Sequence, residues 1–253
     1  MVAGASLALG LALGTDLTSH GAELSEILER GHLVVGVKDN VRPLGFHNES
    51  GELVGFEIDL ARQLALELLG DSNAVQLQPV ANRDRLPLLL ADDVDVVIAR
   101  MSVTTPRARL VDFSLPYYLD GTALVTRLSG LADVFALSGQ KVGVLDGAST
   151  VDIVRSRVPG VELVGVESYQ AALAGLETGA IAAFAADVSV LSGWVQEYPQ
   201  YRIFPTLLSG DALAIAMPRG VQYQSLRQQV DAAVESWTES GWLQERMEHW
   251  GLP

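Results

Sequence analysis

Residues 100–118 read RMSVTTPRARLVDFSLPYY and follow an apolar run, Val94–Ala99, that is typical of a buried strand. Directly behind this run, hydroxyl groups and a cation stand close together at Ser102, Thr104 and Arg107. Such a mixture suits either a solvated loop or a strand end that holds an anion. Because open α/β sheets bind ligands beyond the carboxyl ends of their strands, this stretch connects the fold to a candidate site.

Strands and helices alternate on both sides of the stretch, which favours two α/β units, each with a mostly parallel sheet flanked by helices. The elements expected before it are the strands His32–Val37, Val75–Val80 and Val94–Ala99, the helices Thr18–Arg30, Phe56–Leu69 and Asp84–Ala91, and a loop over Asp39–Ser50. The elements expected after it are the strands Lys141–Leu145, Val161–Val166, Ala182–Ala186 and Leu213–Pro218 and the helices Gly147–Arg157, Tyr169–Thr178, Val188–Glu197, Gln222–Ser240 and Gly241–Trp250.

The segments that join the two units, Leu119–Arg127 and Ser209–Pro218, are themselves β-like. They predict two lobes connected by two extended crossover strands, an arrangement that can act as a hinge. We therefore expect a first lobe of residues 18–122 and 214–253 and a second lobe of residues 123–213.

The first residues form a separate apolar segment. Met1–Leu13 is uncharged and too short to span a bilayer as a helix. It is similar to the apolar core of a secretory signal peptide, although the usual basic residues in front of it are missing; a buried helix is the alternative. Residues 1–17 are thus predicted to be a signal-peptide-like segment, and the remaining chain is expected to be soluble.

The charge balance limits the possible partners. The 253 residues include 17 Lys and Arg against 31 Asp and Glu, a formal net charge of −14. Such a surface repels nucleic acids and anionic membranes, so neither is an expected partner. Any anionic ligand must be held by a local cluster of positive groups. The sequence has no cysteine, which excludes disulfides and zinc–thiolate sites within it.

Charged and polar residues stand just past four of the predicted strands, where a ligand of an α/β sheet is expected. They are Lys38 after the first strand, Ser102, Thr104 and Arg107 after Val94–Ala99, Gly147, Ala148, Ser149 and Thr150 after Lys141–Leu145, and Asp187 after Ala182–Ala186. Arg107 can hold a carboxylate through two parallel hydrogen bonds. Ser149 and the N–H groups at the start of its helix can complete that carboxylate site. Asp187 can bind an ammonium, with Ser102 and the carbonyl of Arg100 as further acceptors, so the set suits a zwitterion.

Each of these residues also has an ordinary structural interpretation. Arg107 alone is typical of a protein surface, Asp187 stands where a helix N-cap belongs, and Gly147–Thr150 alone is a common helix start. Their joint placement at strand ends favours the ligand site. Motifs of the G-x-S-x-G, H-E-x-x-H and G-x-G-x-x-G kinds do not occur, and we expect no catalytic centre, metal or cofactor.

Three stretches give the chain a resemblance to a known family. They are GELVGFEIDLA at 51–61, MSVTTPRARLVDFSLPYY at 101–118 and GQKVGVLDGAS at 139–149. These stretches resemble the bacterial periplasmic amino-acid-binding proteins, family 3 of the extracellular solute-binding proteins. The resemblance implies a two-lobe periplasmic-binding-protein fold of type II. It also implies a monomeric periplasmic receptor that binds an amino acid and delivers it to the membrane permease of an ABC importer.

The resemblance also assigns roles to individual residues. Arg107 matches the family's carboxylate-binding arginine, Ser102 and Ser149 match its ligand-binding hydroxyls, and Asp187 matches its ammonium-binding acid. Ala148 stands where the family often has Thr, and Arg100 where it usually has a small residue, with no evident role. Thr104 is expected to shape the turn that aims Arg107 and to lie near the ligand.

Two features bear on the ligand's side chain. The family's stacking aromatic is replaced by Val41, while Lys38 and Arg85 are similar to residues of acidic-amino-acid binders. The two cations would meet a second carboxylate, so glutamate or aspartate is the expected ligand, unless both are merely solvated. The alternatives left open are a glutamine, asparagine or other polar amino-acid binder, a sensor domain, and an enzyme similar to cyclohexadienyl dehydratase.

Overall fold

The computed structural model describes residues 23–148 and 150–253, and these form two lobes, each built on a five-stranded sheet. The helices are α1 Leu24–Arg30, α2 Phe56–Leu69, α3 Arg85–Leu90, α4 Thr105–Ala108, α5 Thr150–Arg157, α6 Tyr169–Thr178, α7 Val188–Glu197, α8 Gln224–Glu239 and α9 Trp242–His249. The strands are β1 Leu33–Val37, β2 Asn40–Val41, β3 Gly45–His47, β4 Leu53–Val54, β5 Val75–Pro79, β6 Val96–Ile98, β7 Asp112–Asp120, β8 Thr122–Thr126, β9 Lys141–Leu145, β10 Glu162–Val166, β11 Ala183–Asp187, β12 Arg202–Ile203 and β13 Asp211–Met217.

The first lobe carries its sheet in the order β5-β1-β6-β13-β7. Strands β5, β1 and β6 are parallel to one another. Strand β13 pairs antiparallel with β6 on one side and with β7 on the other. Apolar residues of α2 at helical spacing, Phe56, Leu60 and Leu64, are fully buried against this sheet together with Trp237 of α8. The carboxyl ends of β1 and β6 lie side by side, so Lys38 and Arg100 emerge at the same edge.

The second lobe repeats this arrangement with the order β10-β9-β11-β8-β12. Strands β10, β9 and β11 are parallel, while β8 is antiparallel to β11 and to β12. A parallel core completed by antiparallel strands is thus common to both lobes. The two-lobe periplasmic-binding-protein fold predicted from the sequence is confirmed.

The chain passes between the lobes twice, and the two passages touch. Strand β7 of the first sheet leads through Gly121 into β8 of the second, and Ser209 and Gly210 lead back into β13. A Cβ on Gly121 would lie 2.1 Å from the carbonyl oxygen of Ser209, so only glycine permits this approach. The N–H of Thr122 donates to the Ser209 hydroxyl at 2.9 Å. The two crossovers therefore form one paired connection.

The sequence predictions of several elements agree with the structure, and three predicted segments differ from it. The structure also contains α4, β7 and β12, which were not predicted as elements. Asp39–Ser50 was expected to be a loop, yet it contains β2 and β3, which pair in a small sheet with β4. Gly45 allows this hairpin because a Cβ there would lie 2.2 Å from the carbonyl oxygen of Lys38.

The other two differences lie at helix starts. α5 begins at Thr150 and not at Gly147, because Gly147 has the left-handed φ of 72°. α1 is described only from Leu24, and the signal-peptide-like segment lies outside the described residues. Of the described helices, none combines the length and the apolar character needed to cross a membrane.

Candidate functional site

A cavity of about 860 Å³ lies between the lobes, at the edge where β1 and β6 end. The first lobe supplies the segment after β1, the segment after β5, and Arg100. The second lobe supplies residues of α6 and α7. The lining residues are Lys38, Asp39, Asn40, Val41, Arg42, Pro79, Val80, Ala81, Asn82 and Arg100 on one side and Tyr169, Gln170, Leu173, Val190, Gly193, Trp194, Glu197 and Tyr198 on the other.

Lys38 is the buried cation of the cavity wall. Its side chain is 5% exposed, and its Nζ donates a hydrogen bond to the carbonyl oxygen of Val80 at 2.8 Å. Burial lowers the pKa of this ammonium, and the nearby charge of Arg85 lowers it further. Lys38 lines the cavity, and its contact with a ligand anion stays a prediction.

Arg85 was predicted to contact a second ligand carboxylate together with Lys38, but its guanidinium is engaged by backbone carbonyl groups. Its Nη1 donates to the carbonyl oxygens of Ala99 and Arg100, each at 2.7 Å, and its Nε to that of Asn82 at 3.1 Å. Burial lowers the pKa of Arg85 to about 10, and the charges of Arg107 and Arg100 add to the effect. Arg85 holds the end of β6 in place and does not line the cavity, so this geometry gives no support to a contact with a second ligand carboxylate.

Arg107 is positioned by the short helix that follows β6. Thr104 is the N-cap of α4, and its hydroxyl accepts the N–H of Arg107 at 3.4 Å. The guanidinium Nη1 donates to the carbonyl oxygen of Ser102 at 2.9 Å, and Ser102 in turn forms a bridge with Leu213 of β13. Thr104 thus caps the helix that carries Arg107, and its predicted place near the ligand stays a prediction. None of these three residues lines the cavity itself; they lie behind its edge.

Arg100, whose side chain had no predicted role, is a cation of the cavity wall that pairs with the second lobe. It adopts a left-handed backbone with φ 52°, and its side chain lines the cavity. Its Nη2 is paired with Asp187 of the second lobe, and its Nε lies 3.6 Å from Asp120 Oδ2. Its carbonyl oxygen already accepts Arg85, so the expected contact of that oxygen with a ligand ammonium is not supported either.

Asp187 lies where the sequence placed it, at the end of β11 and the start of α7. Its carboxylate makes no capping hydrogen bond to α7 and is engaged by Arg100 instead. Asp120 takes over the capping, because its carboxylate accepts the N–H of Ser189 at 3.1 Å and the hydroxyl at 2.6 Å. Asp120 therefore ties the end of β7 to the start of α7 in the other lobe, a role that the sequence analysis missed.

Glu57 is a fully buried carboxylate beneath these cations, at the start of α2. Its Oε1 accepts the hydroxyl of Tyr117 at 2.6 Å and the N–H of Arg100 at 2.7 Å. Burial raises the pKa of this carboxyl, although both hydrogen bonds oppose the shift. Sequence reasoning did not single out Glu57, although it belongs to the GELVGFEIDLA stretch. Its place directly after Gly55 and Phe56 at the start of a helix could have indicated it.

The turn after β9 uses one of the N–H groups that were predicted to bind the ligand carboxylate on the second lobe. The N–H of Ala148 donates to the carbonyl oxygen of Leu145 at 3.1 Å, so this donor is used within the protein. The carbonyl oxygen of Ala148 accepts the N–H of Val151 at 3.3 Å. Ser149 lies outside the described residues, and its predicted contact stays a prediction.

Aromatic side chains reach the cavity from the lobe opposite to the one expected. Val41 lines the cavity at the position where an aromatic was sought, while Tyr169, Trp194 and Tyr198 line it from α6 and α7. The rings of Trp194 and Tyr198 meet edge to face with centroids 6.2 Å apart. This wall was missed because the periodicity of α7 predicts only which face is apolar, and not that part of the face borders a cavity.

Two α/β lobes, two touching crossovers and a charged cavity between the lobes define the class of two-lobed solute-binding proteins. Residues 33–253 match the family of bacterial extracellular solute-binding proteins, family 3, and the chain belongs to it.

Individual relatives and a solved structure agree with this membership. A glutamine-binding protein of Geobacillus stearothermophilus is 31% identical over 209 residues, which are 81% of this chain and 79% of the relative. The ABC transporter glutamine-binding protein of Bacillus subtilis (strain 168) is 30% identical over 230 residues, 90% and 84% of the two chains. An ancestral cationic amino acid solute-binding protein superposes with a TM-score of 0.78 at 25% identity, covering 91% of this chain and all of the other.

Proposed function

We propose that this protein is the periplasmic receptor of an ABC-type importer and that it binds an L-amino acid in the cavity between its lobes. The single observation that carries the proposal is this cavity, which has charged walls from the first lobe and an aromatic wall from the second. Pockets of a few hundred Å³ with a few convergent polar groups are typical ligand sites. The likeness to glutamine-binding relatives supports an amino acid as the ligand and a membrane permease as the partner of a monomeric receptor.

Glutamate or aspartate is the proposed ligand, and the charges of the cavity support it. Among the described residues that line the cavity, Lys38, Arg42 and Arg100 are cations and Asp39 and Glu197 are carboxylates, and Arg100 is paired with Asp187. The buried ammonium of Lys38 favours a ligand with a side-chain carboxylate, whereas arginine or lysine would place a like charge beside it in a partly desolvated space. Glutamine is the second candidate, because it is the ligand named for two relatives.

In the proposed complex the residues at the two lobe edges hold the backbone of the amino acid. Arg107, with Ser149, binds the α-carboxylate after the lobes close, and Lys38 binds the carboxylate of the side chain. Asp187 and Ser102 are the candidates for the ammonium. Support comes from the fixed position of Arg107 next to Ser102 and from the place of Lys38 in the cavity wall.

The test is calorimetric titration of the protein after it has been unfolded and refolded to remove bound ligand. The panel contains glutamate, aspartate, glutamine, asparagine, arginine and cystine. We expect one glutamate or aspartate per chain with a dissociation constant in the micromolar range or below, and no measurable binding in Arg107→Ala. Binding of arginine without glutamate would contradict the charge argument, and binding of no panel member would contradict the receptor proposal.

The proposal includes binding without turnover. A dehydratase needs a general acid positioned over its substrate, and Asp39 and Glu197 are the lining carboxylates that could serve as one. The relatives described above are named as binding proteins, which supports binding alone. Incubation of the protein with prephenate or arogenate is therefore expected to give no product above the uncatalysed rate. Product formation that is lost in Arg107→Ala would contradict this part of the proposal.

A further inference from the structure

Arg100 occupies the position that the sequence analysis predicted for a ligand ammonium. Its guanidinium is paired with Asp187, the acid predicted to bind that ammonium, and it lies against Asp120 as well. The side chain also lines the cavity. A positive charge belonging to the protein therefore already faces the carboxylate that would select amino acids.

The backbone of Arg100 is also fixed, because both its N–H and its carbonyl oxygen are hydrogen-bonded. Its N–H donates to Glu57 and its carbonyl oxygen accepts Arg85. It nevertheless has a φ of 52°, a left-handed conformation that glycine adopts without steric cost and an arginine rarely adopts. The two backbone hydrogen bonds hold Arg100 in this unfavourable conformation, and such strain at a site points to a role for the side chain.

Displacing this guanidinium would be unfavourable for the protein. Arg100 is tethered next to Asp187, so it competes at a high effective concentration with any ammonium from solution. Once displaced, it would remain in a wall that already contains Lys38 and lies near Arg85. A ligand that leaves the pair intact avoids both costs.

We propose that Arg100 is a specificity-determining residue that supplies the cation otherwise provided by the ligand. The site then recognises its ligand by carboxylate groups and does not need an α-ammonium, so its ligand class is short dicarboxylates, with or without an amino group. This inference rests on the proposed function, since it concerns the ligand of the same cavity.

The experiment compares ligands that differ only in the amino group. Calorimetric titrations of the refolded protein use glutamate and glutarate, together with 2-oxoglutarate. We expect glutarate and 2-oxoglutarate to bind within about threefold of glutamate or more tightly. In Arg100→Gly, Asp187 is free for the ammonium, and the affinity ratio should shift at least tenfold in favour of glutamate. Glycine suits the backbone of residue 100, and thermal melting confirms that the variant is folded.

Asp92→Gly is the matched control, because Asp92 also has a left-handed backbone, with φ 63°, and does not line the cavity. It should leave the ratio of glutamate to glutarate unchanged. Asp187→Asn is the second variant and keeps Arg100 in place. It should bind glutarate and glutamate more tightly than the wild type does, and by about the same factor for both, since Arg100 is released toward the ligand carboxylate.

The outcomes separate this inference from the function on which it rests. If glutamate binds at least tenfold more tightly than glutarate and Asp187→Asn loses that preference, the inference is wrong and the receptor proposal stands. If glutamine binds and neither glutamate nor glutarate does, the dicarboxylate class is wrong and the receptor proposal stands. If neither amino acids nor these carboxylates bind, both proposals are overturned.

Discussion

Buried charges of opposite sign lie close together at the edge of the first sheet. Lys38 lines the cavity and Glu57 lies beneath it, and burial penalises the charged form of each. Two mutations separate their roles, because Glu57 acts on the stability of the fold and Lys38 is expected to act on the ligand.

The stability of the protein should depend on pH through Glu57. Its pKa in the folded state is raised above the ordinary value of 4.5, so the folded state binds the proton more tightly than the unfolded state does. Its contribution is therefore fully present below pH 4.5 and is lost as the pH rises through the folded pKa. Urea unfolding should show wild-type stability falling over this range relative to Glu57→Gln. Parallel pH curves for the two proteins would contradict this expectation.

Removing the charge of Lys38 should change ligand preference more than fold stability. Hydrogen bonds to charged groups contribute roughly 1.5–3 kcal/mol, so Lys38→Met should weaken glutamate binding about 10–100-fold and glutamine binding far less. Lys141→Met is the matched control, since Lys141 lies on the second lobe and does not line the cavity. An equal loss for glutamate and glutamine would show that Lys38 does not contact the side-chain carboxylate.

Among the secondary-structure elements, α7 contributes to the site in three ways. Asp120 of the other lobe accepts hydrogen bonds from its first turn, Trp194 and Tyr198 line the cavity, and Gly193 faces the first lobe. A Cβ on Gly193 would lie 2.3 Å from the carbonyl oxygen of Arg42. This glycine therefore allows the lobes to approach each other across the cavity.

Gly193→Ala should hinder closure while favouring the helix itself, since alanine has a higher helix propensity than glycine. We expect ligand affinity to fall at least tenfold with an unchanged or higher melting temperature. Gly130→Ala serves as the control, because a Cβ on Gly130 meets no atom within 4 Å. Unchanged affinity in Gly193→Ala would mean that the contact with Arg42 is not needed for binding.

Local patterns were sufficient for most elements and for part of the site. The apolar spacing of Phe56–Leu69 predicted α2 with its observed ends, and the helix predicted over Tyr169–Thr178 has the ends of α6. The edge positions of Lys38 and Asp187 followed from the strands before them. The partners of Arg85 and Arg100 could not be predicted, because they depend on carbonyl groups and carboxylates that only the tertiary fold brings near. The same applies to Asp120, whose partner Ser189 is 69 residues away in sequence.

At the scale of the whole molecule, the paired crossovers make hinge motion the expected response to ligand. The lobes also meet beyond the hinge, for example through the hydrogen bond of 2.6 Å from Gln196 to the carbonyl oxygen of Trp250. Small-angle X-ray scattering should show a smaller radius of gyration when glutamate is added to ligand-free protein. The change should be reduced in Gly193→Ala, and an identical decrease in both proteins would argue against closure through this contact.

The central claim is that a carboxylate-bearing amino acid binds between the lobes. A crystal structure of the refolded protein grown with glutamate tests it most directly. The account predicts electron density for glutamate in the interlobe cavity, with one carboxylate next to Lys38 and the other next to Arg107. An empty cavity, or glutamate bound elsewhere on the protein, would contradict it.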